Sequence, residues 1–373
     1  MSSGLLRFIE EQIASSAGTQ LGQHRAERAA YLARAGRVSE AKAEIASIRA
    51  DGLLFADSRA SSLLNLAEGL CQYYGEMRPL VAEDRFARAR AIAQVGGHPD
   101  LEGRALSWLG LIQYGRYRFD AMCRTVDECV EKLACGDSMA LARTSLTIAI
   151  SIHLANRFDL AMPWYRRTHL FATERRDEAM ISAMLHNMAA LWLSNCRNAQ
   201  LGGPATTDTS RQALAGALSS FNFDGLAGVS ALEVLTPLLD AQISSLEMNY
   251  QRAEALYKRC RTDFDVQVLH NWSNWMLADL EWCRLNTGVS TTSVDELKRI
   301  FHSLSDVEQV DEQAATLARL AGCARLIGQH AWAEQLEESA SVSWHRFGEL
   351  QAQILDLLLS TTGVRLLEEA RPL

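Results

Sequence analysis

Two arginines on a common step are the residues of this chain best placed to do chemistry. Arg104 and Arg143 lie 39 residues apart, and in a chain that repeats on that step they point the same way from successive units. Guanidinium groups fork onto a carboxylate through parallel N–H donors, so an acidic side chain or a peptide terminus is the guest they suit. The plainer account is a solvated face, or ion pairs within the chain. A second stretch is His270-Asn271-Trp272-Ser273-Asn274-Trp275. Helical spacing puts His270 with Asn274 on one face and Asn271 with Trp275 on another. Amides beside indoles suit a planar or peptide ligand, although Trp272 and Trp275 serve equally well as packing between helices.

Signatures of catalysis are missing. The sequence holds no Gly-x-Gly-x-x-Gly, no P-loop, no His-Glu-x-x-His and no Gly-x-Ser-x-Gly. Nine histidines are scattered. His153 and His186 approach each other between neighbouring helices, but spacing fixes no third ligand beside them, so no metal is expected. None of the eight cysteines forms Cys-x-x-Cys. Cys123, Cys129 and Cys135 are six apart, a step of about 240° net on a helix, so the three point three ways. Buried free thiols in a reducing cytoplasm are the expectation. The net charge is −8 with no basic stripe, which argues against nucleic acid. No apolar run is long enough to span a membrane, and acidic residues follow the short apolar start too closely for a signal peptide. The sequence thus predicts no enzyme, no cofactor and no membrane partner.

The elements that position these residues are legible from an internal period. Tyr117-Arg118-Phe119-Asp120-Ala121-Met122 returns as Asn156-Arg157-Phe158-Asp159-Leu160-Ala161-Met162. Phe119 to Phe158, Leu146 to Leu185 and Leu154 to Leu193 keep the same 39-residue step. A fixed step of this size predicts stacked helix pairs, each unable to bury its apolar face alone. Helices are expected over 101–114 and 120–134, then 140–155 and 160–174, with 179–196 opening a third unit. An exposed insertion at about 198–209 delays that unit's second helix, about 210–220. Before these lie pairs 25–35/39–50 and 58–75/80–95. After them come 225–247/250–263, 264–286/294–304 and 307–327/332–347. Ser39 is expected to cap its helix, and Pro237 either to kink its helix or to start it afresh with Thr236 as cap. The whole chain, 1–373, reads as one solenoid: a capping helix in 1–22, repeats over 23–347, and capping helices over 348–373, with 349–359 as a separate helix.

Leu109-Gly110, Phe119 and Ala121 in one unit, then Ala149, Asn156, Phe158, Ala161 and Tyr165 in the next, resemble the pattern of tetratricopeptide repeats. Tyr250, Ala253 and Tyr257 fit a later unit, and Gly328, Ala333 and Ala340 the last. The family's usual period is 34, so this chain is most similar to degenerate arrays of bacterial regulatory type. The resemblance implies an all-α, right-handed superhelical solenoid of about eight helix pairs. It also implies a concave groove lined by the first helices, where Arg104, Tyr114, Arg143, His153 and Trp192 become the candidate contacts. His270, Asn271, Asn274 and Trp275 form a second candidate patch. The implied role is a cytoplasmic, non-catalytic adaptor or regulator that binds a protein or peptide, with an acidic or carboxylate group as one feature of the partner. The alternative is a sensory domain that binds a small molecule or signalling peptide and controls a separate output protein. An open groove with exposed arginines favours the first, and a compact pocket beside 270–275 the second.

Overall fold

The computed structural model describes residues 4–51, 57–132, 137–206, 210–229, 231–232, 235–263, 273–288 and 292–370. Among them there are helices and no strand. Helix α1 (Gly4–Ser15) precedes a series of antiparallel pairs. The first is α2 (Gly18–Arg34) with α3 (Val38–Ala50), and the second α4 (Ser58–Leu70) with α5 (Pro79–Gly96). Next come α6 (Pro99–Gly115) with α7 (Phe119–Lys132), and α8 (Ser138–Leu154) with α9 (Phe158–Glu174). Then α10 (Glu178–Gln200) pairs with α11 (Ser210–Ala227), and α12 (Thr236–Leu246) with α13 (Tyr250–Asp263). Finally α14 (Ser273–Thr287) pairs with α15 (Val294–His302), and α16 (Val310–Leu326) with the start of α17 (His330–Ser360). Helix α18 (Thr362–Ala370) follows. The result is an all-α superhelical repeat fold.

One backbone device recurs between the helices of a pair. Gly36, Met77, Tyr117, Asn156, Met248 and Gly328 have positive φ, and each stands two residues before the second helix of its pair. At five of these turns the hydrogen bonds match. Tyr117 N donates to Tyr114 O and Arg118 N to Gln113 O, and the same two bonds recur at Gly36, Asn156, Met248 and Gly328. This is the left-handed closure that satisfies the last carbonyls of a helix and reverses the chain. The aromatic that follows, Phe119 in one unit, is then buried where the two helices meet.

Several boundaries differ from the sequence reading. Helix α2 begins at Gly18, well before 25, so the capping element is α1 alone. Ser39 lies inside α3, which starts at Val38. Helix α11 runs through Gly225 to Ala227, where 225 was expected to open the next helix. Helix α12 starts afresh at Thr236 with Pro237 in its first turn, but Leu235 occupies the cap position. The last pair's second helix and the separate helix expected at 349–359 are one 31-residue helix, α17. Gly348 alone does not break it, since an isolated glycine costs a helix only about 1 kcal/mol. The loop after α10 is tied down in its described part. Asn156 Nδ2 donates to Ala205 O, Thr206 Oγ1 donates to Asn156 Oδ1, and Trp344 Nε1 donates to Leu201 O.

The stack also closes on itself, where an open groove was expected. The α6–α7 turn meets the start of α16: Arg116 pairs with Glu308 at 2.7 Å, Gln309 donates to Gly115 O and the Tyr117 hydroxyl donates to Asp311. Deeper in, Asp279 of α14 is 1% exposed and accepts from Arg197 of α10 at 2.9 Å and Arg319 of α16 at 2.6 Å. Helix α17 runs back over α7 and α8, where Gln351 donates to Leu154 O. Helix α18 packs on α7 and caps its own amide Gly363 N on Asp127. No helix of the described residues is long and apolar enough to cross a membrane.

Candidate functional site

The first helices of five successive pairs converge beneath α1 on a cavity of about 90 Å³. Helix α1 roofs it with Leu5 and Ile9, both buried. The roof is pinned at its start: Gly4 N donates to Glu178 Oε1 at 3.0 Å and Leu5 N to Arg176 O at 3.2 Å. These bonds satisfy amides that a helix start leaves without intrahelical partners. The walls are mostly apolar, and their charged groups are Glu27 and Arg34 from α2, Arg104 from α6, Arg143 from α8 and the exposed Arg175 at the rim, with Ser107 of α6 adding a hydroxyl.

The arginines differ in how they are satisfied. Arg104 donates from Nε to Asp137 Oδ2 at 2.6 Å and from Nη1 to Glu27 Oε1 at 2.8 Å. Arg34, 5% exposed, donates to Asp177 Oδ2 at 2.7 Å. Arg143 is 2% exposed and has no hydrogen-bond acceptor or carboxylate partner among the described residues, its Nε being fully enclosed. Its guanidinium lies 3.8 Å from the centre of the Trp108 ring, and Trp108 stacks in turn on Phe86. Burial lowers the pKa of Arg143 from its ordinary value, and Arg34 nearby adds to the effect. Cation–π contact offsets part of the cost of burying a guanidinium but uses none of its five N–H donors.

The structure thus brings Arg104 and Arg143 to one cavity, but buried and without the exposure an open groove requires. Tyr114, His153 and Trp192 do not line it. Tyr114 packs edge-on to Phe119. His153 is fully buried, its Nδ1 3.0 Å from the Tyr165 hydroxyl, and its ring touches Phe158 and Trp192. Trp192 is packed against Phe158, and a Cβ added at Gly216 would meet its ring at 2.5 Å. His153 and Trp192 join adjacent repeats, and Tyr114 packs within its own pair. In the second patch, His270 and Asn271 lie outside the described residues. Asn274 exchanges hydrogen bonds with Ser303. Trp275 is buried beneath Arg197, 4.8 Å from its ring centre. Both bind neighbouring helices.

Sequence reasoning missed Trp108, Arg34, Glu27 and the residues of α1. One signal was present. Asp137 and Asp177, 40 residues apart, both stand at the cap position just before a first helix, and each accepts backbone N–H bonds there. Among the described residues no group of three or more His, Cys, Asp or Glu is placed to hold a metal ion. Seven described cysteines are free and buried, and Cys135 lies outside the described residues.

No family model matches the chain, and no curated protein matches it. Among solved structures, a Rap protein complexed with Competence and Sporulation Factor is similar. The superposition has a TM-score of 0.54 at 13% sequence identity and covers 91% of this chain and 99% of that chain. At that identity the likeness is one of fold, and it extends over nearly the whole of both chains.

Proposed function

We propose that this chain is a non-catalytic cytoplasmic regulator that receives a peptide or protein segment on its inner face, with the cavity under α1 as the point of entry. One observation carries the reading. Five first helices and α1 line a mostly apolar space whose wall holds a buried arginine with an unpaired Nε. A space of this kind accepts one end of a ligand and orients it through few polar groups. The similar solved structure, a Rap protein complexed with Competence and Sporulation Factor, supports such a role for the fold. Nucleic acid is not the expected partner, given the net charge of −8. The whole chain acts as a single body in this reading.

The test exposes the immobilised chain to the peptide fraction of its native cell and identifies retained peptides by mass spectrometry. The wild type is expected to retain a defined set, and Arg143→Met to lose it while keeping its helical circular dichroism. Retention of no peptide by the wild type sinks the assignment.

A further inference from the structure

We propose that Arg143 anchors a binding site for a single carboxylate, supplied by the ligand at the place that the internal repeat reserves for Asp177. The inference rests on the inner-face reading above and names the group recognised there.

The repeat shows which contact Arg143 does not make. Arg104 is the sixth residue of α6, and Arg143 is the sixth residue of α8. Asp137 caps α8 through Oδ1 and takes the Nε of Arg104 on Oδ2. Asp177 caps α10 through Oδ1 in the same way, so translation by one unit predicts that its Oδ2 takes Arg143. Instead that oxygen takes Nη1 of Arg34, which reaches across from α2, 143 residues earlier. Arg143 is left on the Trp108 ring with its Nε unpaired and no ion-pair partner among the described residues, at the wall of a cavity large enough for a carboxylate and a short alkyl body. Bidentate N–H donation to a carboxylate is the geometry a guanidinium offers. Leu5 and Ile9 of α1 would face the ligand's apolar part, and the exposed Arg175 marks the cavity's open rim.

The probe is 4,4,4-trifluorobutyrate, titrated into the full chain and followed by fluorine NMR, with 4,4,4-trifluorobutan-1-ol as the uncharged control. Saturable binding of the acid and none of the alcohol is expected. Loss of a charge-assisted bond predicts at least about tenfold weaker binding in Arg143→Met. Arg34→Met should weaken it as well, because Asp177 then returns to Arg143. Arg143→Met should melt at the same temperature as the wild type or higher, since an unpaired buried charge is replaced by apolar volume. The free acid and the amide of N-acetyl-Leu-Leu distinguish the sources. Displacement of the probe by the acid alone assigns a chain terminus, and no displacement by either assigns a free small acid. The proposal is overturned by non-saturable binding in the wild type, by equal binding in a folded Arg143→Met or Arg34→Met, or by a marked fall in the melting temperature of Arg143→Met. Peptides retained irrespective of Arg143 would leave the regulator reading standing and remove only this site. Probe binding with no peptide retained would do the reverse.

Discussion

Glu312 and its neighbour Asp311 at the head of α16 are both shifted up and titrate as a pair, which sets a pH dependence that substitution of Glu312 reduces. Burial and the neighbouring Asp311 push the Glu312 carboxyl up to about 8 from an ordinary 4.5. The folded chain therefore keeps a proton that the unfolded chain has released, and stability falls as pH rises from 4.5 through 8. His186 acts in the opposite sense: burial holds it down to about 4, so its contribution is lost as pH falls from 6.5 to 4. The window between 6.5 and 8 belongs to the Glu312–Asp311 pair and not to His186. Glu312→Gln is expected to flatten the fall of the melting temperature across that window and to exceed the wild type above it. Parallel curves for the two proteins would refute the assignment. At this scale the sequence showed the arginines and hid their state. The 39-residue step found Arg104 and Arg143, but Glu27 and Arg34 come from α2, at separations of 77 and 143 residues that no local pattern encodes.

The turns inside the pairs show what a repeat element demands of its sequence. Glycine and asparagine adopt this conformation at the least cost, and Gly36, Asn156 and Gly328 are of those types. Tyr117 and Met248 take the same left-handed conformation without being either. Tyr117 has a use for its side chain, since its hydroxyl reaches Asp311. Met248 has none of that kind, being 72% exposed. Met248→Gly is therefore expected to stabilise the chain by about 1 kcal/mol, the cost of a left-handed L-residue, offset in part by glycine's greater freedom when unfolded. Denaturation in urea checks it, and a lower midpoint would show that Met248 packs against something that matters. Helix existence was legible nearly throughout because periodicity and these turns agree. The misplaced boundaries fell where breakers are weak, as at Gly225 and Gly348.

Taken whole, the molecule is a repeat array with its ends secured. Open arrays gain stability from neighbour contacts alone. Here Asp279 joins α10, α14 and α16 through two buried guanidiniums. Asp279→Ala leaves Arg197 and Arg319 buried without that carboxylate, and a loss of about 3–5 kcal/mol is expected. The same midpoint in guanidinium chloride would contradict it. Closure of this kind was not legible, because a repeat pattern specifies each unit's fit to the next and leaves the curvature of the stack to accumulate from small packing rotations. It has a consequence for the chain's birth. Tyr117 meets Asp311 only after 194 further residues have been made, which at ordinary elongation rates is roughly 10 to 40 seconds. Through that interval the surfaces of α7 and α8 later covered by α17 and α18 stand open on the ribosome. The nascent protein must pass through a sticky half-built state before α17 and α18 arrive to seal it.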